Sequence, residues 1–303
     1  MISPAITAAP TIELRSLDEL WFQVAGTVCN LTCHHCFISC SPHNHSFEFL
    51  SFDDVNRALE ECVQHGVREY YFTGGEPFLN KDLICMLQRT LEFGPATVLT
   101  NGTVLKPEWL RDLRLAEAAS RYSLEFRVSI DGPSPEINDP IRGEGTFDRA
   151  MQGVSRLCDA GFLPIITMTQ MWDDSDNLRI LDAFRSVLKI HGCARPRLKI
   201  LPRLKIGAEE HRTEGYLETE RITPEMMAGF DRDQLLCHHS RTVTSRGVFV
   251  CPILIESPDA RMGDVPKESL SPFTMQHGAC YTCYRYGAIC SNSTLRPNRQ
   301  DRS

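Results

Sequence analysis

The feature that most constrains this chain is a repeated alternation between residues 20 and 202. Short apolar runs of strand length are followed there by amphipathic stretches of helix length. The strand-like runs lie at 20–25, 69–73, 96–100, 126–130, 164–168 and 197–201. Between the first two, residues 52–64 bring Val55, Leu59 and Cys62 onto one face behind Ser51, a natural N-cap. Leu83, Leu87 and Leu91 share a face in the next helix, and Pro107 suits the first turn of another. Helical patterns recur near 147–160 and 178–190. This repetition predicts an α/β fold around a parallel sheet, either open or closed into an incomplete barrel. A chain of 303 residues supplies ample core for it.

The alternation stops after Leu201. Residues 205–229 are charged and turn-rich, as a linker or bridging helix would be. From 234 to 292 five cysteines accompany Gly247, Gly278 and Gly287 with little periodicity, which predicts a small domain held by a metal centre more than by a core. The expected division is an N-terminal extension at 1–17, the repeated unit at 18–205, the cysteine-rich domain at 206–292 and a polar, disordered tail at 293–303.

Thirteen cysteines in all are many for this length, odd in number and unevenly spread. An oxidised secreted scaffold would be smaller and evenly stapled. Residues 1–15 carry no basic start followed by an apolar block, so the expected setting is cytoplasmic. Thiol-rich and cytoplasmic points to metal or iron–sulfur work. The net charge, 32 − 39 = −7, leaves no electrostatic footprint for nucleic acid and no polybasic membrane anchor. No apolar run is long enough to span a bilayer.

Directly after the first strand-like run stand Cys29, Cys33 and Cys36, spaced C-x3-C-x2-C. Three thiolates on a loop leaving a strand can converge on one soft metal site. Tetrahedral zinc would take a fourth ligand from His34, His35 or Cys40. A cubane iron–sulfur cluster given only three thiolates keeps one iron open. The next strands exit into Thr73-Gly74-Gly75-Glu76-Pro77, Thr100-Asn101-Gly102 and Ser129-Ile130-Asp131-Gly132. Glycines there let backbone approach a ligand closely, at the strand ends where α/β folds place their sites.

In order and placement, the cysteine loop, Gly-Gly-Glu-Pro, Ser-x-Asp-Gly and the following Arg142 resemble the radical S-adenosylmethionine (radical SAM) enzymes over residues 20–201. The resemblance implies a partial (β/α)6 TIM-like barrel. It also implies a [4Fe–4S] cluster on Cys29, Cys33 and Cys36, whose open iron chelates the amino and carboxylate groups of S-adenosylmethionine. Gly74, Gly75 and Glu76 are then expected at the methionyl amino group, Ser129 near the ribose or carboxylate, and Arg142 on the carboxylate. Thr73, Asn101 and Asp131, in the same strand exits, complete the expected cofactor-binding set. His35 departs from the pattern, standing where the family usually carries Tyr, Phe or Trp next to the adenine.

Cys237, Cys251, Cys280 and Cys283 supply four further thiolates, and their spacing alone fits zinc or a fully ligated cluster. The tail resembles the twitch or shortened SPASM extension of radical SAM enzymes, which implies an auxiliary [4Fe–4S] cluster on these four. A full SPASM extension has seven cysteines; five imply one auxiliary cluster. Cys290 is expected as a buried thiol, a spare ligand or a catalytic hydrogen-atom donor. Pro252 after Cys251 departs from related peptide epimerases, which carry their donor cysteine directly after a cluster ligand. Cys62, Cys85 and Cys158 read as core thiols on helices, and Cys40 and Cys193 as loop thiols. His34, His238 and His239 could tune a cluster or simply face solvent, and the basic run from Arg195 to Lys205 could face a substrate anion or water.

The expected activity is reductive cleavage of S-adenosylmethionine to a 5′-deoxyadenosyl radical that abstracts a substrate hydrogen atom. Oxidation or dehydrogenation of a small metabolite or peptide is the expected outcome, with epimerisation or peptide maturation through a cysteine donor as the alternative. A one-electron donor such as flavodoxin or ferredoxin would feed the cluster. About 18 residues precede the first strand, too few for a leader-binding module, so a small metabolite or an unaided peptide is expected. A non-catalytic iron–sulfur electron carrier is the reading from another class, but it has no use for Glu76, Ser129 and Arg142 at three strand ends. The length left over holds neither a cobalamin domain nor a second S-adenosylmethionine domain, which disfavours a methyltransferase.

Overall fold

A computed structural model describes residues 8–291, so the expected disordered tail lies outside them. The chain opens with β1 (Thr11–Ile12) and then runs β2 (Glu19–Gln23), α1 (Phe52–Glu61), β3 (Glu69–Thr73), α2 (Leu83–Thr90), β4 (Ala96–Thr100) and α3 (Pro107–Ala119). It continues with β5 (Leu124–Ser129), α4 (Pro135–Arg142), α5 (Thr146–Asp159), β6 (Ile165–Thr169), α6 (Asn177–Ile190) and β7 (Arg197–Leu201). Strands β2 to β7 pair in sequence order, all parallel.

Period-two alternation divides each strand between two environments. Leu20, Phe22, Tyr70, Phe72, Val98, Phe126, Val128 and Met168 belong to one apolar core shared with Val55, Leu59, Leu87, Leu113, Val154 and Phe184 of the helices. The intervening residues, among them Trp21, Gln23, Tyr71, Thr73, Arg127 and Ser129, form the other face. That face carries the polar groups, because a partial barrel leaves its inside to ligands.

The helices start where local chemistry provides partners for free N–H groups. Ser51 caps α1 in a reciprocal box: its hydroxyl accepts from the Asp54 amide at 3.2 Å, and Asp54 Oδ2 accepts from the Ser51 amide at 3.0 Å. Pro107 opens α3 at its first turn. Two strands begin and end earlier than their hydrophobic runs suggest. β2 stops at Gln23 because Gly26, at φ 52°, turns the chain with its amide on the Gln23 carbonyl at 3.0 Å. Helix α4 escapes sequence reading because Pro133, Pro135 and Pro140 look like a turn; Pro135 in fact occupies the first turn of a short helix.

After β7 come α7 (Ala208–Thr213), β8 (Ser240–Thr244), β9 (Gly247–Phe249), β10 (Arg261–Gly263), β11 (Phe273–Thr274) and α8 (Gly278–Tyr286). β8 adds to the outer side of β2 in parallel, and β9 and β10 follow antiparallel, so one sheet of nine strands runs through barrel and extension. A second apolar core, built from Leu235, Leu236, Phe249, Ile253, Phe273 and Met275 of the extension, continues into the cysteine loop through Leu31, Ile38 and Phe47. The extension's residues come from turns and from strands of only two or three residues, too short for a period to announce them. Helix and strand thiols sort by position: Cys62 is fully buried at the end of α1, whereas Cys85 faces solvent, against the expectation of a core thiol.

Removing the α1 cap tests this account of local structure. Ser51→Ala is expected to lower unfolding stability by about 1 kcal/mol. An unchanged denaturant midpoint would mean that the capping box contributes nothing.

Candidate active site

The cysteine loop is shaped by backbone contacts that leave no room for side chains. Gly75 donates its amide to the Gly26 carbonyl at 3.0 Å, and Glu76 donates to the Val28 carbonyl at 3.1 Å. A Cβ on Gly75 would lie 2.0 Å from that Val28 carbonyl oxygen, so only glycine lets the β3 exit lie against the residues leading into Cys29. From the other sides, the His34 amide donates to the Ile141 carbonyl of α4 at 2.9 Å, and the Ala208 amide donates to the Cys36 carbonyl at 2.9 Å. The loop is gripped by three separate elements.

Cys29, Cys33 and Cys36 line one cavity of about 200 Å³, together with Gly74, Gly75 and Arg142. Thr73, Asn101 and Ser129 are in the same wall, as are His35, Cys40 and Cys290. All three loop cysteines are free thiols. Burial pushes Cys29 up to about 12 and Cys33 up to about 11, so neither holds a thiolate without a compensating positive charge. Cys36 is lowered instead, chiefly by hydrogen bonding from Cys40. Donors surround the sulfurs: the Leu31 amide at 3.4 Å and Asn101 Nδ2 at 3.8 Å from Cys29, the Cys40 amide at 3.3 Å from Cys36, and Arg142 Nη1 at 4.0 Å from Cys33. Among the described residues no three His, Cys, Asp or Glu side chains converge closely enough for a single metal ion. Three soft thiol donors in one cavity wall are the donor type that a thiolate-ligated cluster takes.

Two expected ligand-facing carboxylates turn toward the protein instead. Glu76 is fully buried; its carboxylate accepts from the Thr100 hydroxyl at 2.7 Å, the Asn101 amide at 2.7 Å and the Phe78 amide at 3.1 Å. Burial pushes it up to about 7 against those donors. It ties the β3 exit to the β4 exit and leaves the cavity wall to Gly74 and Gly75. Asp131 is also fully buried, with Oδ2 at 2.6 Å from His35 Nε2 and 2.5 Å from Arg142 Nε, while Oδ1 accepts from the Thr169 amide at 2.7 Å. Burial opposes its charge, but Arg142 and His35 outweigh that and hold the carboxyl well below the usual carboxylate range. Asp131 thus orients two cavity residues rather than entering the cavity itself. Ser129 stays available, its hydroxyl 3.3 Å from that of Thr167.

A second group of thiols forms in the extension. Cys237, Cys251, Cys280 and Cys283 line one pocket walled by Leu235, Ile253 and Met275. All four are pushed up by burial, and proximity to one another adds to this for Cys237, Cys280 and Cys283. Beside them Arg241, 1% exposed, donates to the carbonyls of Cys237 at 3.0 Å, Ser240 at 2.7 Å, Ser269 at 2.6 Å and Ser271 at 3.2 Å. Sequence reading passes over Arg241 because its partners are backbone atoms distant in the chain. Cys290 adjoins both groups: it lines the first cavity, and its thiol is pushed up first by burial and then by the charge of Cys251. Its carbonyl accepts from Arg127, and the Ser291 carbonyl accepts from Lys199.

The remaining candidates fall outside both sites. Cys193 is buried in the barrel core, and Cys158 packs against it. His34 is exposed, and His238 holds the N-terminal segment through the Glu13 carbonyl at 2.7 Å. His239 lies 3.8 Å from Glu19, and burial lowers its pKa. Within the basic run, Arg197 pairs with Glu125 at 2.6 Å and Lys205 with Glu220 at 2.8 Å.

Asp131→Asn keeps the shape and removes the charge that Arg142 faces. The expected loss is about 3 kcal/mol or more, the order for leaving one buried ion unpaired. Because the folded-state pKa of Asp131 is depressed from 3.8, its stabilisation is complete above that pH and is lost on acidification below it. Denaturant titrations of both proteins at neutral and acidic pH check this; equal midpoints at neutral pH would refute it.

Comparison with known proteins bears directly on this cavity. The model of the Radical SAM superfamily matches residues 24–179, just over half of the chain. The chain is 30% identical over 164 residues to the AdoMet-dependent heme synthase of Nitratidesulfovibrio vulgaris, covering 54% of this chain and 41% of that protein. It is also 30% identical over 160 residues to mycofactocin maturase MftC of Mycolicibacterium smegmatis, covering 51% and 39% respectively. These matches therefore span about two-fifths of the relatives' length. Among solved structures, Streptococcus suis SuiB bound to precursor peptide SuiA superposes with a TM-score of 0.61 at 16% identity over 86% of this chain and 66% of that one. anSMEcpe with bound AdoMet and Cp18Cys peptide gives 0.60 at 15% identity over 83% and 79%. At such identities the structural likeness speaks for the fold. The matched region runs from the end of β2 through the cysteine loop, all three glycine-bearing strand exits, Asp131 and Arg142: this chain belongs to the radical SAM superfamily.

Proposed function

We propose that this chain is a tailoring enzyme which reductively cleaves S-adenosylmethionine and oxidises its substrate at an unactivated carbon. The observation that carries the reading is the single cavity wall shared by Cys29, Cys33, Cys36, Gly74, Gly75, Ser129 and Arg142. The three thiolates would hold a [4Fe–4S] cluster with one open iron. When bound, that group supplies the electron that splits S-adenosylmethionine into methionine and a 5′-deoxyadenosyl radical, which takes a hydrogen atom from the substrate. The protein's part is binding, orientation and exclusion of water. Arg142, held by Asp131, offers its guanidinium to the methionyl carboxylate. Gly74 and Gly75 present backbone without side chains, and Ser129 presents a hydroxyl.

Cys237, Cys251, Cys280 and Cys283 would hold one auxiliary [4Fe–4S] cluster in a twitch-like extension. Four thiols in one pocket, Cys251 and Cys280 buried and Cys237 and Cys283 half-buried, with Arg241 closing the surrounding carbonyls, support this. A cluster held by these residues would supply the one-electron acceptor that net two-electron oxidation of a substrate requires. A peptide is the favoured substrate: the solved structures of anSMEcpe and SuiB hold peptides, and MftC is a maturase. A second reading is favoured by one observation, the presence of Cys290 in the cavity wall. A thiol there could return a hydrogen atom to the substrate radical, giving epimerisation.

Anaerobic reduction of the reconstituted protein with dithionite and S-adenosylmethionine should yield 5′-deoxyadenosine, and Cys33→Ala should abolish it. Retained turnover in the variant would sink the open-iron assignment, and no product from the parent protein would favour a plain electron carrier. Reconstitution should give about eight irons per chain, two cubanes of four. Cys280→Ala should halve the iron and spare cleavage while blocking the finished product. A normal product yield would make the second centre merely structural.

A further inference from the structure

Two cysteines that belong to neither thiol-lined pocket meet where α5 and α6 end. Both helices stop in the same way. Gly161 and Gly192 each take φ 85°, Gly161 donating to the Cys158 carbonyl at 2.9 Å and Gly192 to the Lys189 carbonyl at 3.2 Å. The next amides, of Phe162 and Cys193, reach back to the Leu157 and Leu188 carbonyls, each at 2.9 Å. Such a pair of returning bonds is a Schellman cap, which folds the residue after the glycine back against the helix. In α6 that residue is Cys193, 6% exposed in the barrel core. Cys158 stands in the last turn of α5, half-buried. Three residues earlier on the same face, the Ser155 hydroxyl donates to the His191 carbonyl at 2.9 Å, which moors the end of α6 against α5. The sulfurs of Cys158 and Cys193 are thereby brought into disulfide contact. In the reduced chain both are free cysteines.

We propose that Cys158 and Cys193 form a reversible disulfide that fastens the edge of the barrel. β7 ends the nine-stranded sheet, with β6 its one partner among the described strands. Cys158 precedes β6 and Cys193 precedes β7, so the bond joins the two helix-to-strand turns that feed this edge. Those turns lie at the N-terminal ends of the parallel strands, opposite the exits where Gly74, Asn101 and Ser129 line the cavity. Closing the long loop between the two cysteines removes conformations from the unfolded chain, and so stabilises the folded one. A low-molecular-weight disulfide such as oxidised glutathione serves as oxidant. Half-buried Cys158 is the sulfur it reaches first, giving a mixed disulfide that Cys193 resolves. In sum the two thiols give up two protons and two electrons, one protein sulfur–sulfur bond forms, the glutathione disulfide breaks, and two reduced glutathione molecules leave.

The test uses the full reconstituted chain, equilibrated anaerobically in glutathione buffers that run from reducing to oxidising. The samples are then alkylated under denaturing conditions and digested without reductant. Mass spectrometry should find a peptide joining Cys158 to Cys193 in the oxidised samples and two alkylated thiols in the reduced ones. In urea, the oxidised parent protein should unfold at a midpoint about 1 M above the reduced one, a shift that Cys158→Ser should lack. Alkylated Cys158 and Cys193 in every buffer, or glutathione retained on Cys158 beside an alkylated Cys193, would overturn the pairing. A joined peptide that survives excess reduced glutathione would overturn its reversibility. Equal midpoints for joined and reduced parent protein would show that the bond fastens nothing.

Discussion

One buried anion organises the mouth of the barrel. Asp131 leaves β5 and meets the cysteine loop through His35, α4 through Arg142 and the end of β6 through the Thr169 amide. The cysteine loop, α4 and β6 are not consecutive in sequence. A carboxylate withdrawn from water is tolerable only when charge and hydrogen bonds replace its hydration, and here every replacement comes from a residue that borders the cavity. The result is a site whose geometry is set from behind. Glu76 does the same between β3 and β4, by accepting from Thr100, Asn101 and Phe78.

The two faces of the sheet divide labour in a way that follows from strand periodicity. Apolar residues such as Phe22, Phe72 and Phe126 hold the helices on, and alternate positions turn polar groups into the barrel. That inner face is not a neutral lining. Trp21 stacks on Tyr71 with ring centroids 4.1 Å apart, and the Arg127 guanidinium lies 5.6 Å from the Tyr71 ring centroid. Such contacts fix large side chains in a space that must otherwise stay open for a ligand.

Much of this was legible in the residues alone, and the limits are physical. Strand–helix alternation predicts the parallel sheet because period two and period 3.6 are local properties of the chain. The cysteine spacing, Gly74–Gly75 and Arg142 stand out because each is unusual at a strand exit. What escaped were pairings between residues far apart in sequence. Nothing local says that Asp131 turns to His35 rather than to a ligand, or that Arg241 binds backbone carbonyls. The membership of β8 in the barrel sheet is equally silent, since Ser240, Thr242 and Thr244 look like a polar loop until Glu19 and Trp21 lie beside them. Helix α4 was hidden by its prolines, although it delivers Arg142.

The hydrogen bonds from Arg127 and Lys199 to the carbonyls of Cys290 and Ser291 join the last described turn of the extension to the interior of the barrel. Two cations from β5 and β7 thereby depend for part of their solvation on backbone that folds some ninety or more residues later. Barrel and extension are therefore tied from within: strands β2 to β7 pair with one another, yet cations on their inner face find backbone acceptors in the last described turn of the extension.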